Sequence, residues 1–125
     1  MATFEPELWV DRAGDAIAFY VEAFGATELM RVGEGDDTLA RLAVDGAVFW
    51  VAPADPGLGR LSPLALAGGT SRTLLVTDDP DAFCRRAVAA GALERSPVAD
   101  EHGWRVGRIG DPFGHEWEVG VPLHG

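Results

Sequence analysis

The sequence predicts an α+β domain built from two copies of one βαβββ module, and three observations carry that reading. The two halves match each other at an offset of 66 residues, each half passes from strand to helix and back to strand periodicity in the same order, and a stretch rich in proline and glycine separates them. At this offset Asp15, Ala16, Ala23, Gly25, Ala26 and Glu28 fall on Asp81, Ala82, Ala89, Gly91, Ala92 and Glu94, and upstream Leu8 and Val10 fall on Leu74 and Val76.

Each element follows from local pattern. Residues 5–10 and 71–77 read as strands, and each is followed by aspartates (Asp11 and Asp15; Asp78, Asp79 and Asp81) that can cap a helix start. Ile17, Tyr20, Val21 and Phe24 recur at helical spacing in the first half, as do Phe83, Ala87 and Ala90 in the second, and Gly25 and Gly91 supply stops. Three strands follow in each half, over 28–32, 38–44 and 47–52, then 93–98, 104–110 and 115–119. Gly33 to Asp37, Asp45-Gly46, Asp100 to Gly103 and Asp111-Pro112-Phe113-Gly114 mark the turns between them. The chain thus divides into module one over about 4–53, a linker over about 54–70 and module two over about 71–120. The expected architecture is a pair of curved mixed sheets around a trough, one helix per module on the outer face, with every second strand residue pointing into the trough.

Composition narrows the function classes. Apolar residues make up 47% of the 125, enough for a core, and no window approaches the roughly 20 apolar residues that cross a bilayer. Twenty acidic against ten basic residues give a net charge of −10, which repels nucleic acid and anionic membranes and favours a cationic ligand. The lone Cys84 cannot form an internal disulfide, reads as a small core residue and fits a cytoplasmic protein, as does an acidic N-terminus unlike a secretory signal. Phosphate-loop, nucleophile-elbow and paired-cysteine zinc motifs do not occur.

Several runs together resemble one known group. These are Pro6-x-Leu8-x-Val10, Ala16-Ile17-Ala18-Phe19-Tyr20-x-x-Ala23-Phe24-Gly25-Ala26, Asp78-Asp79-Pro80-Asp81-Ala82, Arg86-Ala87-x-Ala89-Ala90-Gly91-Ala92 and, most specific, Asp111-Pro112-Phe113-Gly114-His115-x-Trp117. The chain is similar from Pro6 to about Val119 to the vicinal oxygen chelate superfamily of glyoxalases, extradiol dioxygenases and bleomycin-resistance proteins, and to its PhnB-like subgroup. The resemblance implies a divalent metal held by four His or Glu residues, one on the first and one on the last strand of each module, acting as a Lewis acid on vicinal oxygens. Those positions carry Glu5, Trp50, either Arg72 or Ser71, and Glu118. Two carboxylates without an imidazole hold a transition metal poorly. His115 alternates away from Glu118, His102 lies in a turn and His124 is next to the chain end, so no histidine completes the set.

Two readings follow. In the first the protein is a metal-independent binder, without cofactor, that sequesters an aromatic or cationic organic molecule, as bleomycin-resistance relatives sequester an antibiotic. Strand alternation lines its trough with Glu5, Glu7, Trp9, Trp50, Glu116 and Glu118, joined by Arg72 if that residue rather than Ser71 faces inward. In the second, Glu5 and Glu118 ligate a divalent metal for a glyoxalase- or dioxygenase-type reaction. Glu118 can also pair with Arg72, which would neutralise both. Trp117 and Trp104 are expected in the core, and Arg105 and Arg108 are expected either to pair with acidic neighbours or to meet an anionic ligand group. Long sheet edges and the family habit predict a homodimer, with each chain closing its own trough or with modules exchanged between chains.

Overall fold

The computed structural model describes residues 1–124. Module one consists of β1 (Glu7–Val10), α1 (Ala13–Phe24), β2 (Thr27–Val32), β3 (Leu39–Val44) and β4 (Ala47–Pro53). After it the linker contains a short helix, α2 (Pro63–Leu66), and module two repeats the order with β5 (Thr73–Val76), α3 (Pro80–Ala89), β6 (Leu93–Glu101), β7 (Trp104–Gly110) and β8 (Glu116–Pro122). The two sheets have equivalent strand orders, β1-β4-β3-β2 and β5-β8-β7-β6, each with one parallel pair at the first strand and antiparallel pairs beyond it. The repeat seen in the sequence is therefore a repeat of topology. No helix among the described residues is long and apolar enough to cross a membrane.

Alternation decides which face of each strand is buried. Leu8 and Val10 of β1, Ala40, Leu42 and Val44 of β3, and Phe49 and Val51 of β4 point into the core, where Ile17, Tyr20 and Phe24 of α1 meet them. Leu75, Ile109, Trp117 and Val119 do the same for the second sheet. These faces share a single core. Phe49 of β4 touches Trp117 of β8 with ring centroids 5.5 Å apart, and Tyr20 and Phe24 of α1 also pack against Trp117. Their edge-to-face geometry is the favoured one for aromatic pairs.

Three local expectations change. Helix α1 has Arg12 rather than an aspartate at its N-cap, with no side-chain cap, whereas Asp79 caps α3 by accepting from Ala82 N. Burial matches Ala13, Ile17 and Tyr20 with Pro80, Cys84 and Ala87, an offset of 67, while Ala26 and Ala92 still match at 66, so module two is one residue shorter before its glycine. Trp104 is half-buried and pairs with Pro122 and Glu101 on the open face, so only Trp117 is a core tryptophan of the two.

One buried carboxylate ties the modules together. Asp111, in the turn before β8, accepts from Tyr20 Oη and from Trp117 Nε1 (2.9 Å) through Oδ2, and from the backbone N–H groups of Phe113 (2.9 Å) and His115 (3.0 Å) through Oδ1. Every buried side-chain polar atom among the described residues has a partner. Burial, then the Asp111 charge, then the hydrogen bond to it push the Tyr20 phenol well above its ordinary range. Burial, with Asp81 and Glu94 nearby, pushes the Cys84 thiol up to about 11, which leaves it a poor nucleophile.

Truncating Asp111→Ala leaves four donors without their acceptor and is expected to cost at least about 3 kcal/mol in denaturant unfolding; a loss under about 1 kcal/mol contradicts the role given to it. Both raised groups bind protons in the folded state that the unfolded chain has released, so stability is full below the unfolded values and falls as pH climbs above about 9 for Cys84 and about 10 for Tyr20. Cys84→Ala should flatten the fall between pH 9 and 11 by on the order of 2 kcal/mol, and an unchanged slope removes the assignment.

Candidate functional site

The open face of the first sheet carries a compact polar cluster. The β1–β4 register places Glu7 opposite Trp50, so both project away from the core with Glu5 two residues upstream. On β3 the apolar run around Arg41 buries Ala40 and Leu42 and turns Arg41 to the same open face. Its guanidinium grips Glu5 with Nε at 3.1 Å from Oε1 and Nη2 at 2.9 Å from Oε2, while Trp50 Nε1 donates to Oε1 at 2.8 Å. Arg41 also lies over the Trp50 ring, 5.8 Å from its centroid. Hydrogen bonds from Arg41, then from Trp50, hold the Glu5 carboxyl below the usual carboxylate range.

The second sheet carries a charge ladder instead. The β5–β8 register sets Leu74 beside Glu118 and Thr73 beside the buried Trp117, which settles the phase of β5: Arg72, not Ser71, lies on the open face. Arg72 Nη2 is 3.1 Å from Glu118 Oε2, the same oxygen receives Arg108 Nε at 2.9 Å, and Arg108 Nη2 reaches Glu101 at 2.6 Å. Four alternating charges thus cross all four strands. Arg105 points to the helix side and forks onto Asp81 with a third bond to Asp100, so both arginines of β7 pair with acidic neighbours.

A cleft of about 300 Å³ lies where the modules meet the linker. Glu7 and Trp9 of β1, Leu61 and Leu66 of the linker, and His115 and Glu116 at the start of β8 line it. His115 Nε2 is 2.8 Å from the Trp9 carbonyl oxygen, which joins β1 to the second module. Glu116 is paired with Arg95 at 3.0 Å. Gly110 permits this pair, because a Cβ there would lie 2.5 Å from Glu116 Oε2 and 2.8 Å from Arg95 Nε.

The seven residues singled out in the sequence are therefore split among three places. Glu5 and Trp50 meet on the first sheet, Arg72 and Glu118 on the second, and Glu7, Trp9 and Glu116 around the cleft. No hydrogen bond or ion pair among the described residues joins one open face to the other. The cause is the shared core: with Phe49 and Trp117 facing each other, their neighbours Trp50 and Glu118 project from the far sides of the two sheets. Sequence reasoning missed Arg41 and the Glu101 end of the ladder. An arginine between Ala40 and Leu42 in an otherwise apolar strand is the signal that marks the first; the ladder needs strand register, which the sequence does not display.

The chain is similar to known proteins along almost its whole length. An uncharacterized protein of Mycobacterium bovis is 41% identical over 125 residues, spanning 94% of this chain and 82% of the relative. The crystal structure of TioX from Micromonospora superposes with a TM-score of 0.75 at 26% identity, covering 98% of this chain and all of that one. FosX, the fosfomycin resistance protein of Listeria monocytogenes complexed with Mn(II) and sulfate, superposes with a TM-score of 0.72 over 97% of this chain and 90% of its own, but at 17% identity it shares the fold alone. With residues 3–119 matching the family as a whole, the chain belongs to the Glyoxalase/Bleomycin resistance protein/Dioxygenase superfamily.

Proposed function

We propose that the protein is a metal-independent binder of small aromatic or cationic organic molecules, working as a homodimer and sequestering its ligand, an antibiotic among the candidates. The observation that carries this reading is the state of the four positions that hold metal in enzymes of the family. Both oxygens of Glu5 already accept from Arg41 and Trp50, and Glu118 Oε2 accepts from Arg72 and Arg108. Trp50 offers only an N–H donor, and Arg72 adds a positive charge where a cation would sit. A divalent metal does not fit this donor set. The acidic net charge and the indoles of Trp9 and Trp50 supply attraction and stacking surface instead. The Asp111-Pro112-Phe113-Gly114-His115-x-Trp117 run supports placement in the PhnB-like subgroup.

A homodimer would fit the same reading. Each sheet presents apolar side chains to solvent on its open face, Met30 (39% exposed) and Val32 (57%) on the first and Leu74 (44%) and Val76 (55%) on the second. These flank the Glu5 and Glu118 clusters. Apposing the first sheet of one chain to the second sheet of another would cover both and close two troughs per dimer.

Three measurements test this reading. Calorimetry with Mn(II) or Zn(II) is expected to show no saturable site, and one tightly held equivalent per chain that Glu5→Gln abolishes would replace the binder with a metalloenzyme. Tryptophan fluorescence should respond at micromolar concentration to members of a panel of planar and cationic compounds, and silence across the panel removes the proposal. Light scattering should give twice the chain mass, and Val76→Asp should halve it; a wild-type monomer at high concentration refutes the dimer.

A further inference from the structure

We propose that the cleft between β1, the linker and the start of β8 binds an ammonium or amidinium group carried on a small planar or apolar body. The inference rests on the reading of the chain as a small-molecule binder, and it assigns that activity a place outside the four metal positions. The size fits first. About 300 Å³ is the lower end of small-molecule sites and admits a body of one or two rings.

The lining then sets the ligand chemistry. The charged side chains that line the cleft are the carboxylates of Glu7 and Glu116, beside the hydroxyls of Thr70, Ser71 and Thr73. Glu7 is exposed and has no ion-pair partner among the described residues, unlike Glu5, Glu101, Glu116 and Glu118. Glu116 keeps acceptor capacity beyond its contact with Arg95, since a carboxylate offers about four lone-pair sites. The Trp9 carbonyl can only accept, so His115 Nε2 carries the proton between them. No arginine lines the cleft, and of its two carboxylates only Glu116 is paired, with Arg95. The two carboxylates favour a ligand that donates hydrogen bonds and is also a cation.

Apolar contact comes from Trp9 on one wall and Leu61 and Leu66 on the other. Both leucines are exposed, so the core does not use them. The linker wall is held in place by Gly114, whose φ of +89° suits glycine and where a Cβ would lie 2.9 Å from Pro63 Cβ. Ser62, fully buried, caps α2 by accepting from Ala65 N. An aromatic ammonium would stack its ring between Trp9 and the leucines and direct its charge to Glu7 and Glu116.

The test is calorimetric titration of the full chain with phenethylammonium and benzamidinium chlorides, with 2-phenylethanol as the neutral counterpart. At least one cation is expected to bind at one equivalent per chain, at least tenfold more tightly than the alcohol. Its affinity should fall at least tenfold in Glu7→Gln/Glu116→Gln, and Glu7→Arg should abolish binding. Glu34→Gln/Asp36→Asn, which removes equal charge from an exposed turn, should leave it within twofold. Binding that survives the Glu7 and Glu116 changes overturns the cleft assignment while the binder reading stands. Loss that is equal in the two double variants reduces the effect to net charge and also overturns it. If neither these cations nor any compound of the wider panel binds the wild-type chain, both the cleft and the binder reading fall.

Discussion

The arrangement depends on one buried anion. Asp111 is 6% exposed, and its two oxygens serve donors from three different parts of the chain: a phenol on α1, an indole on β8 and two backbone N–H groups of its own turn. A buried carboxylate is tolerated only when such donors surround it, and each donor would otherwise be buried without a partner. The consequence is geometric. Bonding to Trp117 Nε1 fixes which face of β8 turns inward, and that phase sends Glu116 and Glu118 outward. Bonding to Tyr20 brings α1 of the first module against β8 of the second, so the relative placement of the two halves and the position of Gly114, on which the linker wall rests, follow from the same atom pair.

The surface chemistry has its own rule, because all ten basic residues are arginines. A guanidinium presents paired donors that match a carboxylate, whereas a lysine ammonium acts as a point charge on a flexible stem. Forked contacts such as Arg41 on Glu5 and Arg105 on Asp81 therefore hold the carboxylates in orientation as well as neutralising them. Such pairs at partly exposed sites add little stability. Their effect here is on orientation: each guanidinium occupies carboxylate oxygens with directed, charge-assisted hydrogen bonds.

Much of this was legible in the sequence, and the reasons for the misses are physical. Alternation in Leu8, Val10 and in Phe49, Val51 reported which face of each strand is buried, because that is a property of single strands. The offset of 66 held at Ala26 and Ala92 but slipped by one residue in β5 and α3, since a helix can lose a residue near its end and still bury the same stripe; that slip is why Arg72 and Ser71 could not be separated before strand register was known. Trp104 illustrates a different limit, as its large apolar ring fits a half-covered sheet face as well as a core. The Tyr20–Asp111 bond spans 91 positions, and nothing local to either residue announces the other. Alternation likewise says that Trp50 and Glu118 leave the core, but not that their two faces lie on the far sides of a common layer of helices.

The same distinction separates two kinds of acidic residue. On the open faces a positive ligand group would have to displace a guanidinium already held by two hydrogen bonds, exchanging one charge-assisted contact for another with little net gain. At Glu7 no such exchange is needed, so the contact with an incoming cation is new, and the adjoining indole and leucines exclude part of the water that would weaken it. Planar apolar ligands face the opposite preference. They would gain most where Trp50 and the exposed Val32 and Val76 side chains offer wide surface, and in the proposed dimer a second chain would cover those surfaces. Charge recognition would then reside within one chain and shape recognition between two, because the fold leaves the Glu7 carboxylate at the junction of its modules and exposed apolar side chains on the open faces of its sheets.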